Sequence, residues 1–458
     1  MTLEQILEKI EDLIWGPPLL ILLLVVGIYL TIVIRGVQVR YLLYSIRLAF
    51  SRHNDKAEGD ISHFQALMTA LAATIGIGSI SGVATAIAAG GLGALFWMWV
   101  AAFFGMATKY AEAILAIKYR TLDKKGEMCG GPMFYIERGL KVKWLAVLFA
   151  VFGAVAAFGT GNVVQANSVS SALYEHLSIA PWISGVLLAI LTGAALFGGI
   201  KSIGKVASYL VPIMGVFYIG GGTIFVLMKY QQIPEAFLLI FKTAFTGQAA
   251  AGGFLGSSIM IAVQYGVSRG IFSSEAGLGS APIAAAAAKT DVPGRQALIS
   301  MSGVFITSFI VCTITGLAIA VTGVLGDIGA NGEVLNGSVL ALRAFNSIFS
   351  GGGMIVTISL ILFGYSTVLG WAYYGEKCVE YLWGEKSVFP FRVLFTLALI
   401  PGAMLSLKIV WSFANIMNGL MAFPNLIGLF GLAGIVGAET KSFVKLLKQE
   451  KNANRSSS

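Results

Sequence analysis

The 458 residues are 57% hydrophobic and only 12% charged, with a mean hydropathy of +0.83, far from the soluble balance of about 25% charged. That composition excludes an ordinary soluble enzyme and points to an all-α polytopic membrane protein with no room for a separate soluble domain. The net charge of +9 does not mark a nucleic-acid partner, because the basic residues punctuate apolar spans and the partner they imply is the lipid bilayer.

Met1–Trp15 carries Glu4, Glu8, Glu11 and Asp12 against Lys9, the reverse of the basic start of a secretory signal, so it reads as no cleavable leader. A first span is expected near 17–35. The basic amphipathic stretch Arg35–Asp60 follows, with Arg40, Arg47 and Arg52 set among Tyr41, Leu42, Ile46 and Phe50; it reads as an anchor on the inner surface. Further spans are expected near 63–89, 93–117, 144–174, 181–200 and 206–228, then near 253–287, 296–323, 353–379, 391–408 and 411–436. Pro234–Phe245 and Asn336–Phe349 read as short outer-surface helices suited to a lid, and the charged, Ser-rich tail 441–458 is expected to fray. Cys129, Cys312 and Cys378 have no metal-ligand spacing and read as free thiols.

About eleven spans, an odd number, place the termini on opposite sides, and loop charge decides which is which. Loops 35–62, 118–143, 201–205, 288–295 and 376–392, with the tail, hold 24 of the 31 Lys and Arg. The N-terminus is therefore expected outside and the C-terminus in the cytoplasm, across a plasma or inner cell membrane.

Glycine interrupts two spans where a membrane helix should be most regular: Ala72-Ala73-Thr74-Ile75-Gly76-Ile77-Gly78-Ser79-Ile80-Ser81-Gly82 and Ser268-Arg269-Gly270-Ile271-Phe272-Ser273-Ser274-Glu275-Ala276-Gly277. Unwound backbone at membrane depth persists only where it is shielded or lines a polar cavity, and a matched pair marks a transporter's substrate and ion site. With the first span set aside in an N-terminal unit, 1–62, ten spans divide into 63–252 and 253–440, ahead of the tail 441–458. Five is odd, so the halves run in opposite senses, as an inverted repeat, and Gly76-Ile77-Gly78-Ser79 echoes Gly270-Ile271-Phe272-Ser273. Amides at Gly76–Ser79 suit a carboxylate; carbonyls near Ile75 and Phe272 suit an ammonium group or Na⁺. Close helix packing is the plainer use of such glycines, and it explains one such segment better than a pair.

In the ninth span, Phe363-Gly364-Tyr365-Ser366-Thr367 places two hydroxyls beside a carbonyl one turn earlier, a small hard-oxygen cluster suited to Na⁺, although such hydroxyls also bond back to their own helix. Intramembrane charges are functional suspects: Arg269 and Glu275 are expected to pair across the second break or gate the inner path. Lys109 and Glu112 are expected near the inner end of the third span, where snorkelling suffices. Gly266-Val267-Ser268-Arg269-Gly270 matches the G-x-S-x-G of serine hydrolases, but His53, His63 and His176 sit at or beyond the span ends, which argues against an intramembrane protease.

Residues 90–105, Gly-Gly-Leu-Gly-Ala-Leu-Phe-Trp-Met-Trp-Val-Ala-Ala-Phe-Phe-Gly, closely resemble the signature of the sodium:alanine/glycine symporter family, and helix pattern and length are similar over essentially the whole chain. The resemblance implies no enzyme but a symporter of small neutral amino acids, with Na⁺ as the transported coupling ion, no required oligomer, and the fold of the bacterial leucine transporter. That fold's Gly-Leu-Gly-Asn carries onto Gly76-Ile77-Gly78-Ser79. The implied sodium ligands are the carbonyls of Ala72, Ile75 and Phe363 and the hydroxyls of Ser366 and Thr367. Ser79 replaces an asparagine that contacts a second sodium in the leucine transporter, which departs from the two-ion pattern.

The implied substrate pocket comprises Thr74, the amides of Gly76, Ile77 and Gly78, then Phe272, Ser273, Ser274 and Trp371, with Asn162 and Gln165 from the polar run of the fourth span. Bulky Phe272 and Trp371 favour alanine or glycine, at about 1–3 kcal/mol per methylene. A proton-coupled transporter of the same fold, using Arg269 and Glu275, is the nearest alternative.

Overall fold

The computed structural model describes residues 2–50, 59–246, 259–290, 292–329 and 332–456. Arg52, His53 and the start of the seventh expected span, 253–258, lie outside the described residues.

Helix α1 (Leu3–Ile14) opens with a capping box between Thr2 and Gln5, and α2 (Pro17–Val33) begins on proline, whose missing N–H is not needed in a first turn. The first broken span is α3 (His63–Thr74) and α4 (Ser81–Gly90), separated by the single 3-10 turn Ile77–Ser79. Next come α5 (Gly93–Lys118), α6 (Lys143–Phe158), the π-turn Gly159–Val163, α7 (Val164–Leu177), α8 (Pro181–Leu196), α9 (Gly199–Leu227) and the surface helix α10 (Ile233–Thr246). The second broken span is α11 (Ile259–Ser274) and α12 (Ala281–Ala286). It is followed by α13 (Pro293–Val304), a π-turn at Phe305–Val311, α14 (Cys312–Thr322) and the surface helix α15 (Gly337–Ile348). The chain ends with α16 (Gly353–Trp383), α17 (Val388–Gly402), α18 (Leu407–Gly431) and α19 (Ala433–Ser456).

Among the described residues, seven helical stretches are long and apolar enough to cross a bilayer, and Ser81–Gly90 and Pro181–Leu196 are shorter apolar helices. Small residues set the closest approaches. A Cβ at Gly93 would stand 2.4 Å from Ala244 N, and one at Gly266 would stand 2.5 Å from the Ala94 carbonyl, so α5 packs backbone to backbone with its neighbours.

The structure corrects three expectations about the course of the helices. The tail does not fray at Lys441; it stays helical to Ser456, held by ion pairs from Lys118 to Glu439 and from Arg295 to Glu450. Lys201 and Lys205 lie inside the first turns of α9 rather than in a loop. The third correction is the position of the second break. α11 runs unbroken through Gly270, Phe272 and Ser274, and Glu275 N still bonds to the Ile271 carbonyl at 2.7 Å. Gly270 instead lets α11 close on Met98 of α5, whose Cα a Cβ would approach to 3.2 Å. The unwound stretch is Glu275–Ser280, with left-handed φ of +55° at Glu275, +89° at Gly277 and +83° at Gly279, values that favour glycine. This unwound stretch carries Gly277-Leu278-Gly279-Ser280, which shares the Gly-x-Gly-Ser pattern of Gly76-Ile77-Gly78-Ser79.

Candidate functional site

The first break faces the middle of α16. Ser366 Oγ lies 3.1 Å from the Ala72 carbonyl and 2.9 Å from that of Phe363, and Thr367 Oγ1 lies 3.0 Å from the Ala72 carbonyl. All four residues are buried. Ile75 caps α3 with ψ of 69°, which turns its peptide out of the helical direction just above them. Gly76 is required here, because a Cβ would sit 2.5 Å from Thr367 Oγ1. The result is a compact set of carbonyl and hydroxyl oxygens, without a carboxylate, against unwound backbone: a donor set for a monovalent hard cation.

Across the break, Phe272 lies over Gly78, where a Cβ would meet its ring at 2.9 Å. Ser273 Oγ lies 2.9 Å from Ser79 Oγ and 3.3 Å from Cys312 Sγ, while Thr315 donates to the Ser79 carbonyl at 2.8 Å. Both polar groups of Ser79 are thus engaged by α11 and α14. The Phe272 ring sits 4.9 Å from that of Trp411, and the Arg269 guanidinium lies 4.7 Å from the Trp411 ring. Arg269 and Trp411, but not Phe272, line a vestibule of about 430 Å³ together with Glu8, Glu11, Gln264, Ser268, Asn336 and Lys408.

The remaining expected pocket residues divide. Thr74 Oγ1 donates to the Ala70 carbonyl of its own helix at 2.9 Å. Asn162 donates to the Phe395 carbonyl at 2.5 Å, bridging to α17, and Gln165 donates to the Thr160 carbonyl at 2.8 Å inside the π-turn. The amide oxygens of Asn162 and Gln165 are buried with no hydrogen bond among the described residues. Trp371 is buried against the π-turn, where a Cβ at Gly161 would overlap its side chain at 2.0 Å. Ser274 faces the second break: its carbonyl accepts from Lys109 Nζ at 3.0 Å.

Lys109 and Glu112 do not snorkel. They are 2% and 0% exposed, and Glu112 Oε1 accepts from the amides of Gly277 and Gly279 at 3.1 Å each and from Asn425 Nδ2 at 2.7 Å. Nor do Arg269 and Glu275 pair. Arg269 donates to Asn415 Oδ1 at 3.0 Å and lies 4.0 Å from Glu11, on the vestibule side, whereas Glu275 accepts from Ser280 Oγ at 2.9 Å. A six-residue separation along a continuous helix puts the two side chains on different faces at different depths. Two signals for this network stood in the sequence: Lys109 and Glu112 at i, i+3 inside an apolar span, and the recurring Asn415, Asn418 and Asn425 of α18.

Away from the vestibule, charged side chains are paired or bonded to backbone carbonyls. Arg392 grips Glu376 through two bonds of 2.6 and 2.8 Å, and Arg120 donates to the carbonyls of Ala286, Ala288 and Thr290. Asp123, Cys129 and Glu380 cluster as metal ligands would, but Lys377 Nζ lies 3.4, 3.4 and 2.9 Å from them and supplies the cation. Burial also pushes the Cys129 thiol up to about 12, so it stays protonated.

Residues 1–457 match the sodium:alanine symporter family. The chain belongs to that family. It is 54% identical, over 99% of its length and 100% of the relative's, to the sodium/alanine symporter AgcS of Methanococcus maripaludis. It is 36% identical, over 98% and 93%, to the probable sodium/glutamine symporter GlnT of Bacillus subtilis. In fold it is similar to MhsT crystallised with L-phenylalanine, with a TM-score of 0.56 at 14% identity, covering 84% of this chain and 98% of that one. This family member is therefore a multi-pass membrane transporter with a leucine-transporter-type fold, not an enzyme. The G-x-S-x-G match has no strand-to-helix elbow: Ser268 lies within α11 and bonds to the Tyr265 carbonyl at 3.3 Å.

Proposed function

We propose that the chain is a Na⁺-coupled symporter of small neutral amino acids, alanine or glycine, working by alternating access in the cell membrane. The observation that carries this reading is the meeting of Ser366 and Thr367 with the Ala72 and Phe363 carbonyls at the first break, which offers a cation oxygen ligands and no titratable group. Ile75 completes the ion site. The amides of Gly76, Ile77 and Gly78 receive the substrate carboxylate, Phe272 with Trp411 covers it, and Gln165 and Trp371 bound the side-chain space. Eleven spans, a five-plus-five inverted repeat over 63–252 and 253–440, an outer N-terminus and a cytoplasmic C-terminus complete the proposal. In it, Na⁺ and substrate enter through the vestibule, one bundle rocks against the other, and the Arg392–Glu376 and Lys377 contacts part to release both inside. Each Na⁺ contributes about 2.3 kcal/mol per 100 mV of membrane potential.

One observation favours a second reading, proton coupling. Glu275 is 1% exposed, holds a strained backbone, and uses one carboxylate oxygen on Ser280. Uptake of radiolabelled alanine into proteoliposomes, with a Na⁺ gradient or a pH gradient alone, separates the two. Uptake that needs Na⁺ and fails in Thr367→Ala supports the first. Uptake driven by pH and indifferent to Na⁺ overturns it in favour of Glu275.

A further inference from the structure

A cleft on the face where Lys and Arg gather plays no part in the transport path. The chain leaves α2 through Arg35 and Gly36, both left-handed at φ +56° and +67°, and turns sharply into the short helix Val37–Arg40. Helix α19 crosses this corner at Gly437, where a Cβ would stand 3.1 Å from Val33 Cγ1. Between them lies a cavity of about 860 Å³. Its interior is apolar, formed by Val33, Ile34, Val37 and Val444, and its mouth is ringed by Arg35, Arg40, Lys441, Lys445 and Lys448.

The three lysines recur at i, i+4 and i+7, which places them on one face of α19. Among the described residues none of the five cations has an ion-pair partner. The two acids of α19, Glu439 and Glu450, are engaged by Lys118 and Arg295. A solvated basic face would spread such charges over a convex surface. Here they converge on a concavity with an apolar floor, at the end of a membrane span. An apolar track leads away from it: Ile32, Ile28, Val25 and Ile21, one face of α2, are 69%, 41%, 49% and 59% exposed.

We propose that this cleft binds an anionic phospholipid, its phosphate among the five cations and an acyl chain along the α2 track. Basic pockets at the ends of spans suit such headgroups, and the apolar floor and track are what a free phosphate would not need. The inference stands independently of the coupling ion and the substrate.

Native mass spectrometry of the full chain, titrated with dioleoyl phosphatidylglycerol or dioleoyl phosphatidylcholine, tests it. The expected result is one retained phosphatidylglycerol per chain, preferred by at least about tenfold, since each cation near a lipid surface contributes about fivefold. Lys441→Gln/Lys445→Gln/Lys448→Gln should lose the preference, and so, from the opposite wall, should Arg35→Gln/Arg40→Gln. A triple variant at exposed lysines of other loops, Lys124→Gln/Lys125→Gln/Lys386→Gln, should keep it. Melting temperatures in phosphatidylcholine report whether each variant is folded, and the two cleft variants test separate walls. Equal loss in the control would mean diffuse charge, no loss in either cleft variant would place the lipid elsewhere, and displacement by millimolar inorganic phosphate would make this a phosphate site; each overturns the proposal.

Discussion

The two breaks share a Gly-x-Gly-Ser sequence yet treat their exposed helix ends in opposite ways. At Glu275–Ser280 the ends are filled by the protein's own charges. Lys109 meets the carbonyl at the C-terminal end of α11, and Glu112 meets the amides of Gly277 and Gly279 ahead of α12. Each charge has the sign that the helix dipole favours. At Ala72–Ile80, among the described residues, no charged side chain bonds to the backbone; hydroxyls of α14 and α16 donate to the Ser79 and Ala72 carbonyls, and a hydroxyl of α11 meets the Ser79 side chain. A break sealed by resident ions is a structural joint. In the proposed function, the break whose ends meet only hydroxyls is the one left to the ion and the substrate.

The largest test strikes the sealed break. Glu112→Ala leaves Lys109 buried without its neighbour and strips three donors of their acceptor, so stability should fall by about 3–5 kcal/mol, read as thermal unfolding of the purified protein in detergent. A melting temperature close to wild type would end the division into joint and site. Thr367→Ala strikes the other break and should do the reverse, leaving the melting temperature nearly unchanged. The Na⁺ concentration for half-maximal alanine uptake should rise at least about tenfold, the effect of losing a charge-assisted contact of roughly 1.5–3 kcal/mol; an unchanged Na⁺ dependence would remove the ion from this cluster. Gly78→Ala sharpens the comparison, because its Cβ would press on the Phe272 ring. Overpacking of about 1–2 kcal/mol should weaken alanine binding by roughly fivefold to thirtyfold in an equilibrium assay, whereas unaltered affinity would detach Phe272 from the substrate. The smallest effect is expected from Trp411→Leu, which removes a cation–π and ring contact of about 0.5–1.5 kcal/mol: bound alanine should escape several-fold faster, and an unchanged release rate would mean that the Trp411 ring is no barrier.

Much of the oxygen cluster proposed to hold the ion was legible in the chain. Adjacent hydroxyls at Ser366 and Thr367, and glycines at 76 and 78, are local features, and the resemblance over residues 90–105 supplied the fold that brings them together. The pocket was less legible. Thr74 and Asn162 spend their donors on backbone carbonyls, and nothing in a linear pattern tells a hydroxyl or amide that bridges helices from one that faces a ligand. Lys109 and Glu112 were visible as charges but not as a capping pair, because their partners lie 165 and 167 residues away in sequence.

A polytopic helical protein, the family to which it belongs and the place of the first break follow from the chain alone, since composition, the Gly-Gly-x-Gly-Ala-Leu-Phe-Trp-Met-Trp run and paired glycines act without reference to distant residues. Where the second break opens is set by packing. Gly270 is as able to unwind as Gly277, but a glycine packed against Met98 is held in a helix by its neighbour, while Gly277 and Gly279 are drawn out of it by a buried carboxylate that accepts their amides.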